Sequence, residues 1–313
     1  ALRLYYNLDN GNSDRYSLAN TYYLKYGDSI KVQNQWIDNL NRNHEYRVQL
    51  TYMEPVFTNH FIEINYSYQH RSSLSEKYAY DWNDLEDSYS QYPDTAQSDC
   101  YKNKYSIHQV GAFFRTIRTN YFYNIGIEIE PQQTTNQSYM RDTTLEYSSR
   151  NAINYAPTMN FKYTFSKQTT LRINYRGRTT QPSMTDLYSK NDISDPLNIR
   201  LTNPNLKPSF NNNISATFNT YFTETLRSFN ANFSYSNTIN STTRIVTYDE
   251  NTGGRTTQPT NVNGNWRING SFTFSTPLSN KKFTVNTYTN ANYGNSVGFT
   301  VLNKESDAVK SNT

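Results

Sequence analysis

The segment from residue 171 to residue 218 carries the side chains best suited to bind a polar ligand. Arg172, Arg176 and Arg178 occupy even-numbered positions of one alternating run. Guanidinium groups bind carboxylates through two parallel hydrogen bonds. The pattern predicts an arginine-lined surface that contacts an anionic ligand or nearby aspartates, with simple solvation of a wet surface as the alternative. Three carboxylates and a phenol follow in the next loop: Asp186, Tyr188, Asp192 and Asp195.

Two strands joined by a proline-rich loop must position these residues. Leu171, Ile173 and Tyr175 alternate with the arginines along the sequence. Because the side chains of a strand alternate between two faces, these apolar residues share the face opposite the arginines. A second strand begins at Asn213 and alternates in the same way. Proline cannot donate a backbone hydrogen bond, so the intervening prolines should keep this loop out of a sheet: Pro182, Pro196, Pro204 and Pro208.

The loop also contains more apolar side chains than a freely moving surface loop would, among them Leu187 and Ile199. Its prolines lower the entropy that is lost on ordering. We therefore expect the loop to pack over or into the mouth of the structure. Arg176 or Arg178 would then lie within ion-pair distance of one of the loop aspartates: Asp186, Asp192 or Asp195. A disordered loop is the alternative.

Alternating runs fill the rest of the chain and predict about eleven strands, one before residue 43 and ten after it. Short turns are expected near residues 58, 119, 167, 224 and 280, and polar loops over 25–43, 72–104, 131–152, 183–208 and 249–258. A polar tail is expected from residue 303. Propeller blades would need four short strands per repeat. Each interval between successive short turns instead holds two strands of about ten residues, which is long enough to cross a bilayer when the strands are tilted. Short turns opposite long loops are also typical of outer-membrane barrels.

Composition agrees with a barrel wall and excludes several classes of protein. The chain of 313 residues has a mean hydropathy of −0.88 but 15% aromatic residues. Low hydropathy with many aromatics suits a wall whose inner side is wet. No apolar run is long enough for a transmembrane helix. Charge is nearly balanced, with 30 basic and 26 acidic residues and a net charge of +4, so nucleic acid, which needs a clustered basic face, is not an expected partner.

Two motifs carry a resemblance to a known family. One is Arg178-Thr-Thr-Gln-Pro-Ser, continued by Asp195-Pro and by Asn203-Pro-Asn-Leu-Lys-Pro. The other is Tyr52-Met-Glu-Pro, followed by Asn59 and by Glu63 to Tyr66. Together they resemble TonB-dependent outer-membrane receptors, and most closely the outer-membrane β-barrel proteins of that type abundant in Bacteroidetes.

The resemblance implies a transmembrane antiparallel barrel of about 22 strands, with an N-terminal plug and a TonB energy-coupling partner. Residues 1–313 would form one barrel segment, about half of the wall. Nothing in this sequence resembles the plug or its TonB-binding segment. We therefore expect an incomplete piece of a larger protein in the cell outer membrane, in contact with outer-membrane lipid. Energised ligand uptake is the implied function.

Two other functions stay open at this stage. One is a non-transporting barrel that serves as a structural or binding platform for a surface lipoprotein or membrane complex. The other is an extracellular soluble β-sandwich that binds glycan. The missing plug residues would separate the first from a transporter, and solubility without detergent would identify the second.

No cofactor, metal site or enzymatic activity is expected. The four histidines lack the spacing of metal ligands, and no ordered set of serine, histidine and aspartate marks an active site. Clustered carboxylates between residues 81 and 99 could hold Ca²⁺, but they lack the order of an EF-hand loop, so a solvated loop is favoured. Cys100 is the single cysteine, which rules out an intramolecular disulfide.

Overall fold

The fold is one large antiparallel sheet, given by a computed structural model that describes residues 1–23, 29–95, 97–140, 143–188, 191, 195, 197–249, 253–279, 282–302 and 305–312. Each strand of its main path pairs with the strands on either side in the order β1-β2-β3-β5-β6-β7-β8-β10-β11-β14-β15-β16. These strands begin and end as follows: β1 (Leu2–Tyr23), β2 (Ser29–Phe57), β3 (His60–Asn83), β5 (Asp99–Ile117), β6 (Tyr121–Met140), β7 (Thr143–Ser166), β8 (Thr169–Thr180), β10 (Ser209–Phe222), β11 (Arg227–Ile239), β14 (Asn265–Pro277), β15 (Thr284–Leu302) and β16 (Glu305–Asn312).

Five short elements of the described residues lie off this path, at the end of the sheet that carries the long connections. The two-residue strand β4 (Ser88–Tyr89) pairs with β3. The helix α1 (Met184–Tyr188) and the strand β9 (Asn198–Arg200) lie in the proline-rich connection between β8 and β10. A hairpin of β12 (Ser241–Tyr248) and β13 (Arg255–Val262) follows β11, and β9 adds to it in parallel, so that β12, β13 and β9 form a second, three-stranded sheet.

The main sheet is apolar on one face and polar on the other, as strand alternation predicts. On β3, Ile62, Ile64 and Tyr66 are exposed on the apolar face, whereas Glu63 and Ser67 belong to the polar face. Large exposed apolar side chains continue across the apolar face from β1 to β15. A soluble sheet would bury that face, so an apolar solvent must cover it. Within the described residues, no helix has the length and apolar character needed to cross a bilayer.

Four of the predicted short turns lie where the sequence places them: they connect β2 to β3, β5 to β6, β7 to β8, and β10 to β11. The turn predicted near residue 280, between β14 and β15, falls on residues 280 and 281, which lie outside the described residues. Asn59 occupies the first of them with φ 66°, and Leu226 the fourth with φ 56°. Asparagine tolerates this left-handed conformation because its short polar side chain hydrogen-bonds locally. The short turns predicted for this end of the sheet are therefore confirmed where the structure describes them.

The loop and strand boundaries at the other end are partly wrong. β2 starts at Ser29, inside the loop predicted for 25–43, and residues 24–28 lie outside the described residues. β3 continues to Asn83, β5 resumes at Asp99, and β6 and β7 fill nearly all of 131–152. The tail after residue 303 contributes β16, and the main path therefore has twelve strands rather than eleven.

These errors have one physical cause. The extensions carry polar side chains on both faces, so apolar alternation, the signal used to find strands, is weak there. Antiparallel pairing needs only backbone groups, and it continues beyond the apolar band, as between Leu74 and Lys102. The hairpins therefore project as long ribbons instead of ending in loops.

The orientation of the sheet in a membrane gives the first prediction. Single cysteines at Ser88→Cys, in β4, and Thr223→Cys, in the turn after β10, lie at opposite ends of the sheet. With Cys100→Ser as background, a membrane-impermeant maleimide added to intact cells should label the cysteine at position 88 and spare that at 223. Disrupted cells should label both, and equal labelling in intact cells would contradict this orientation.

The facing of the side chains gives the second prediction. Phe233 lies opposite Ala216 and Gly270 on the apolar face, and Asn232 lies opposite Thr217 and Ser271 on the polar face. An arginine on the lipid side costs about 2–4 kcal/mol at the bilayer midplane. Phe233→Arg should therefore reduce the heat-modifiable, assembled protein in outer membranes far more than its matched neighbour Asn232→Arg. Equal losses would show that the register is misassigned.

Candidate functional site

The polar face of the main sheet, called here the inner face, contains a cavity of about 600 Å³ lined by charged side chains. Its residues come from five strands, β2, β5, β6, β7 and β8. The register across β3 places odd positions of β2 and β5 on the same face as the even positions of β6, β7 and β8. The charged members are Arg47, Glu128, Glu130, Arg176 and Arg178. Both signs are present, so the cavity can hold a ligand or protein surface of mixed charge.

Hydrogen bonds hold several charged side chains in separate pairs and short chains along the inner face. Arg115 Nη2 donates to Glu63 Oε2 at 2.6 Å, with both side chains largely removed from solvent. Gln109 Nε2 donates to Glu130 Oε1 at 2.6 Å. Arg47 Nη2 donates to Gln69 Oε1 at 2.8 Å, and Gln69 in turn donates to Glu45. Charge-assisted bonds of this kind fix side-chain orientation more firmly than neutral ones.

One aromatic ring interrupts the polar inner face. Phe113 is 9% exposed and lies against Gly126, whose added Cβ would come within 2.4 Å of the ring. Gly111, two residues earlier on the same strand, would also meet this ring, at 2.8 Å. Glycine at these positions leaves the space that the ring occupies, and the ring shields backbone that no side chain covers. The sheet thereby gains a rigid point beside the charged cavity.

The described residues of the proline-rich connection, 181–188, 191, 195 and 197–208, form a compact unit that we call the mouth segment. Ser183 caps the N-terminus of α1. Its Oγ accepts a hydrogen bond from the Asp186 amide at 3.0 Å and donates one to the Asp186 carboxylate at 2.7 Å. Leu187 and Leu206 are 2% and 3% exposed and pack together against Tyr105 of β5. The packed loop expected from the sequence is confirmed at Leu187, and Ile199 is half-buried.

The mouth segment is also bonded to the β12–β13 hairpin. Asn203 Nδ2 donates to the Pro259 carbonyl at 2.9 Å, and the Lys207 amide donates to Asn261 Oδ1 at 2.7 Å. Between this unit and strands β3 and β5 lies a second cavity, of about 280 Å³. Its charged lining is Lys77, Asp99, Asp186, Arg200 and Arg244. The cavity lies at the end of the sheet where a ligand arriving from the long-connection side would first meet the protein.

The sequence-derived site residues separate into two groups. Arg176 and Arg178 line the inner cavity. Arg172 lies on the same face of β8, opposite Lys162 and Thr217. Asp186 lines the mouth cavity, and Asp195 accepts a hydrogen bond from the Leu197 amide at 2.9 Å. Tyr188 is the last residue of α1, and Asp192 lies outside the described residues.

The predicted ion pairs between β8 and the loop are wrong for the aspartates that can be placed. Among the described residues, neither Asp186 nor Asp195 forms a salt bridge with Arg176 or Arg178. The partner of Asp186 is Arg244 of β12, with Nη2 at 3.8 Å from Oδ1. The reason is geometric: α1 packs towards β5 and the hairpin, away from the β8 arginines.

Sequence reasoning missed Arg47, Glu128, Glu130 and Arg244. The first three were detectable, because each lies at a polar position of a correctly assigned strand and only the register was needed to bring them together. Arg244 carries no local signal, since its role depends on a hairpin that docks on a segment far away in sequence. Within the described chain, no group of three or more histidine, cysteine, aspartate or glutamate side chains has the geometry to hold a metal ion.

The chain matches the outer membrane protein beta-barrel family over residues 1–313. It belongs to that family. Outer-membrane barrels cross the bilayer with strands whose apolar face meets lipid, which accounts for the exposed apolar face of the sheet. The protein is thus a component of the cell outer membrane.

Solved structures give the same fold at low sequence identity. The copper transporter OprC matches with a TM-score of 0.60 and 12% identity, over 94% of this chain and 43% of that one. The siderophore receptor PiuA from Acinetobacter baumannii matches with a TM-score of 0.52 and 8% identity, over 96% and 46%. The Serratia marcescens hemophore receptor HasR, solved with its hemophore HasA and heme, matches with a TM-score of 0.51 and 10% identity, over 98% and 60%.

The fold of this family member is therefore similar to that of this transporter and these receptors. The chain spans about half the length of the first structures that it matches. No curated protein sequence matches it significantly.

The packing of the mouth segment gives the third prediction. Leu187→Ala removes the most buried apolar side chain of this segment, and such changes cost about 2–5 kcal/mol. Amides of residues 181–208 should then exchange hydrogen for deuterium faster in the detergent-solubilised protein, while those of β8 and β10 stay protected. Leu201→Ala, at a half-buried site in the same segment, is the control and should have a smaller effect. Similar exchange in both variants would contradict the anchoring role of Leu187.

Proposed function

We propose that the chain forms part of the wall of a TonB-dependent receptor that takes up a ligand across the outer membrane, of the type abundant in Bacteroidetes. The observation that carries this proposal is the charged inner face behind a packed mouth segment. In a gated receptor, the charged inner face would hold a movable plug and the mouth segment would receive the ligand.

The mouth segment is the proposed first contact for the ligand. Asp186 and Arg244 form a long, partly solvated ion pair, which contributes little stability and is readily exchanged for contacts with a ligand. Arg200 and Lys77 border the same cavity. Tyr188, at the end of α1, and Asp195 are further candidates. Only the class of the ligand is proposed: a polar molecule that can hydrogen-bond to guanidinium and carboxylate groups.

The inner face is the proposed contact for the plug. Arg176 and Arg178 lie in one cavity with Glu128 and Glu130, so a plug with both kinds of charge can pair with this wall. Energy delivered by TonB would have to break those contacts to open a path. Arg172 lies on the same face and would contact the plug or the ligand as it leaves. No catalytic step and no cofactor is part of this proposal.

A platform for a surface lipoprotein or membrane complex is the second candidate, and one observation favours it. Beyond the main apolar band, the outer side of β2, β3 and β4 carries a cluster of aromatic rings packed stacked or edge-on. The ring centroids of Trp36 and Tyr80 lie 4.8 Å apart, and those of Trp82 and Tyr89 lie 5.0 Å apart. Tyr16 of β1 is 69% exposed beside them. Exposed aromatic clusters of this kind are common in protein interfaces.

Uptake by cells gives the fourth prediction and separates the two candidates. The host strain and a deletion of the complete protein that contains this chain would be grown in a defined mixture of solutes, and solute depletion from the medium would be measured by mass spectrometry. We expect at least one solute to be depleted only when the protein is present, and not after a protonophore removes the energy source.

Complementation with an Arg176→Ala, Arg178→Ala double variant should reduce that depletion, while Arg227→Ala, at a turn on the other face, should restore it fully. Identical depletion in all strains would contradict uptake. Co-purification of a surface lipoprotein that is lost in a Trp36→Ala, Tyr80→Ala variant, with depletion unchanged, would favour the platform.

A further inference from the structure

Charge is distributed very unevenly along the sheet. The strands β10, β11, β14 and β15 contain only two charged residues, Arg227 and Arg267. Their inner face, called here the neutral face, is made almost entirely of amide and hydroxyl groups, among them Ser215, Thr217, Asn232, Ser234, Asn269 and Asn292. The inner face of β2, β3 and β5 to β8, called here the charged face, carries the ion pair and the charged cavity described above.

Short hydrogen bonds join the groups of the neutral face across its strands. Thr217 Oγ1 donates to Asn232 Oδ1 at 3.0 Å, and Asn269 Nδ2 donates to Ser234 Oγ at 3.1 Å. Amides and hydroxyls each both donate and accept. A water molecule or a ligand hydroxyl can therefore replace any of these partners without leaving a charge unpaired. The neutral face offers many weak, interchangeable contacts in place of a few strong ones.

A cavity of about 390 Å³ lies on this face, bordered by Arg267, Asn269 and Asn292. Gly294 contributes to its floor, and an added Cβ there would meet the Trp266 carbonyl oxygen at 3.0 Å. The ring of Trp266 packs edge-on against Tyr293 at 5.3 Å beside the same cavity. The neutral face thus has room for a small solute, with hydrogen-bonding groups on its sides.

The two faces differ in what it costs to separate a partner from them. Breaking one member of a largely buried ion pair leaves a charge with poor solvation, which is strongly unfavourable. Exchanging a neutral hydrogen bond for one with water changes the free energy little, because the number of bonds is conserved. A protein plug that pairs with both faces would therefore leave the neutral face first.

We propose that the lumen has two sides: the charged face anchors the plug, and the neutral face lines the route along which the ligand passes. The ligand class that fits this route is an uncharged, polyhydroxylated solute, since its hydroxyls can exchange with the amides and hydroxyls in succession. This inference rests on the proposed receptor function, and it deepens it by naming the side of the lumen and the class of the ligand.

Labelling of single cysteines gives the test. In the complete protein with Cys100→Ser, Ser234→Cys reports on the neutral face and Asn124→Cys on the charged face. The two positions are joined by one row of register partners, through Ser215, Asn174 and Asn160, and neither substitution removes a charge. Leu85→Cys, in a turn where Leu85 is 98% exposed, confirms that each protein reaches the cell surface.

The probes are a glucose-conjugated maleimide and a disulfonated maleimide, added to energised cells and to cells treated with a protonophore. We expect the glucose probe to label the cysteine at 234 about tenfold faster than that at 124, the ratio produced by ~1.4 kcal/mol. We also expect the disulfonated probe to label position 234 more slowly than the glucose probe, when both rates are divided by those at position 85.

Faster labelling at 124, or protection of both positions, would overturn the two-sided lumen. Equal normalised rates of the two probes at 234 would overturn the assignment of an uncharged ligand. A preference for 234 that persists unchanged with the protonophore would support the two-sided lumen while contradicting energised uptake. Failure of the inference and failure of the proposed function are therefore distinguishable.

Discussion

The structure depends on one constraint: every backbone amide and carbonyl in the membrane must find its partner within the sheet. In hydrocarbon an unpaired backbone group costs several kcal/mol, and no water is present to compensate. The main path meets this constraint by antiparallel pairing of neighbouring strands from β1 to β16. Register shifts interrupt it at few places, such as between Pro55 and Phe57, beside a short turn. A proline is tolerated there because it lies close to the strand end.

Backbone pairing then fixes the side chains. A strand held by both neighbours alternates strictly, so Ile62 and Ile64 must face lipid if Glu63 faces the lumen. This arrangement inverts that of a soluble protein: apolar residues are exposed on the outside, and the buried groups include Glu130, Asn103 and Thr134. Buried polar groups are stable only when they are hydrogen-bonded. The amide pair of Asn136 and Asn103, at 2.7 Å, illustrates how the inner face meets that requirement.

The mouth segment follows different rules from the wall. Few of its residues pair in strands, and it is stabilised by a small apolar cluster, local turns and hydrogen bonds to the β12–β13 hairpin. Such a unit has fewer cooperative contacts than the ladder below it, and regions of this kind open at lower free energy than the rest of a protein. The charged and neutral faces beneath it differ in the strength of the contacts that they offer. In the proposed receptor, ligand entry and plug release are expected where the structure is held least firmly.

The amino-acid sequence by itself determined the parts of this protein that repeat locally. A period of two marks Leu171, Ile173 and Tyr175 as one face wherever the strand lies, and short turns such as Thr58-Asn59 have a residue that tolerates positive φ. The resemblance carried by the Asn203-Pro-Asn-Leu-Lys-Pro motif agreed with the family to which the chain belongs. The packing of Leu187 was also expected, because its loop has more apolar side chains than a freely moving surface loop would and its prolines lower the entropy that is lost on ordering.

Only the tertiary structure decided what depends on two distant segments meeting. The polar ribbons beyond the apolar band are paired strands where the sequence predicts loops, because backbone pairing does not require apolar side chains. Asp186 pairs with Arg244 instead of Arg176, since the docking of a hairpin, and not closeness in sequence, sets that distance. The division of the lumen into two faces also emerged only with the register, which places polar residues of separate strands side by side and so turns individual charges and amides into surfaces.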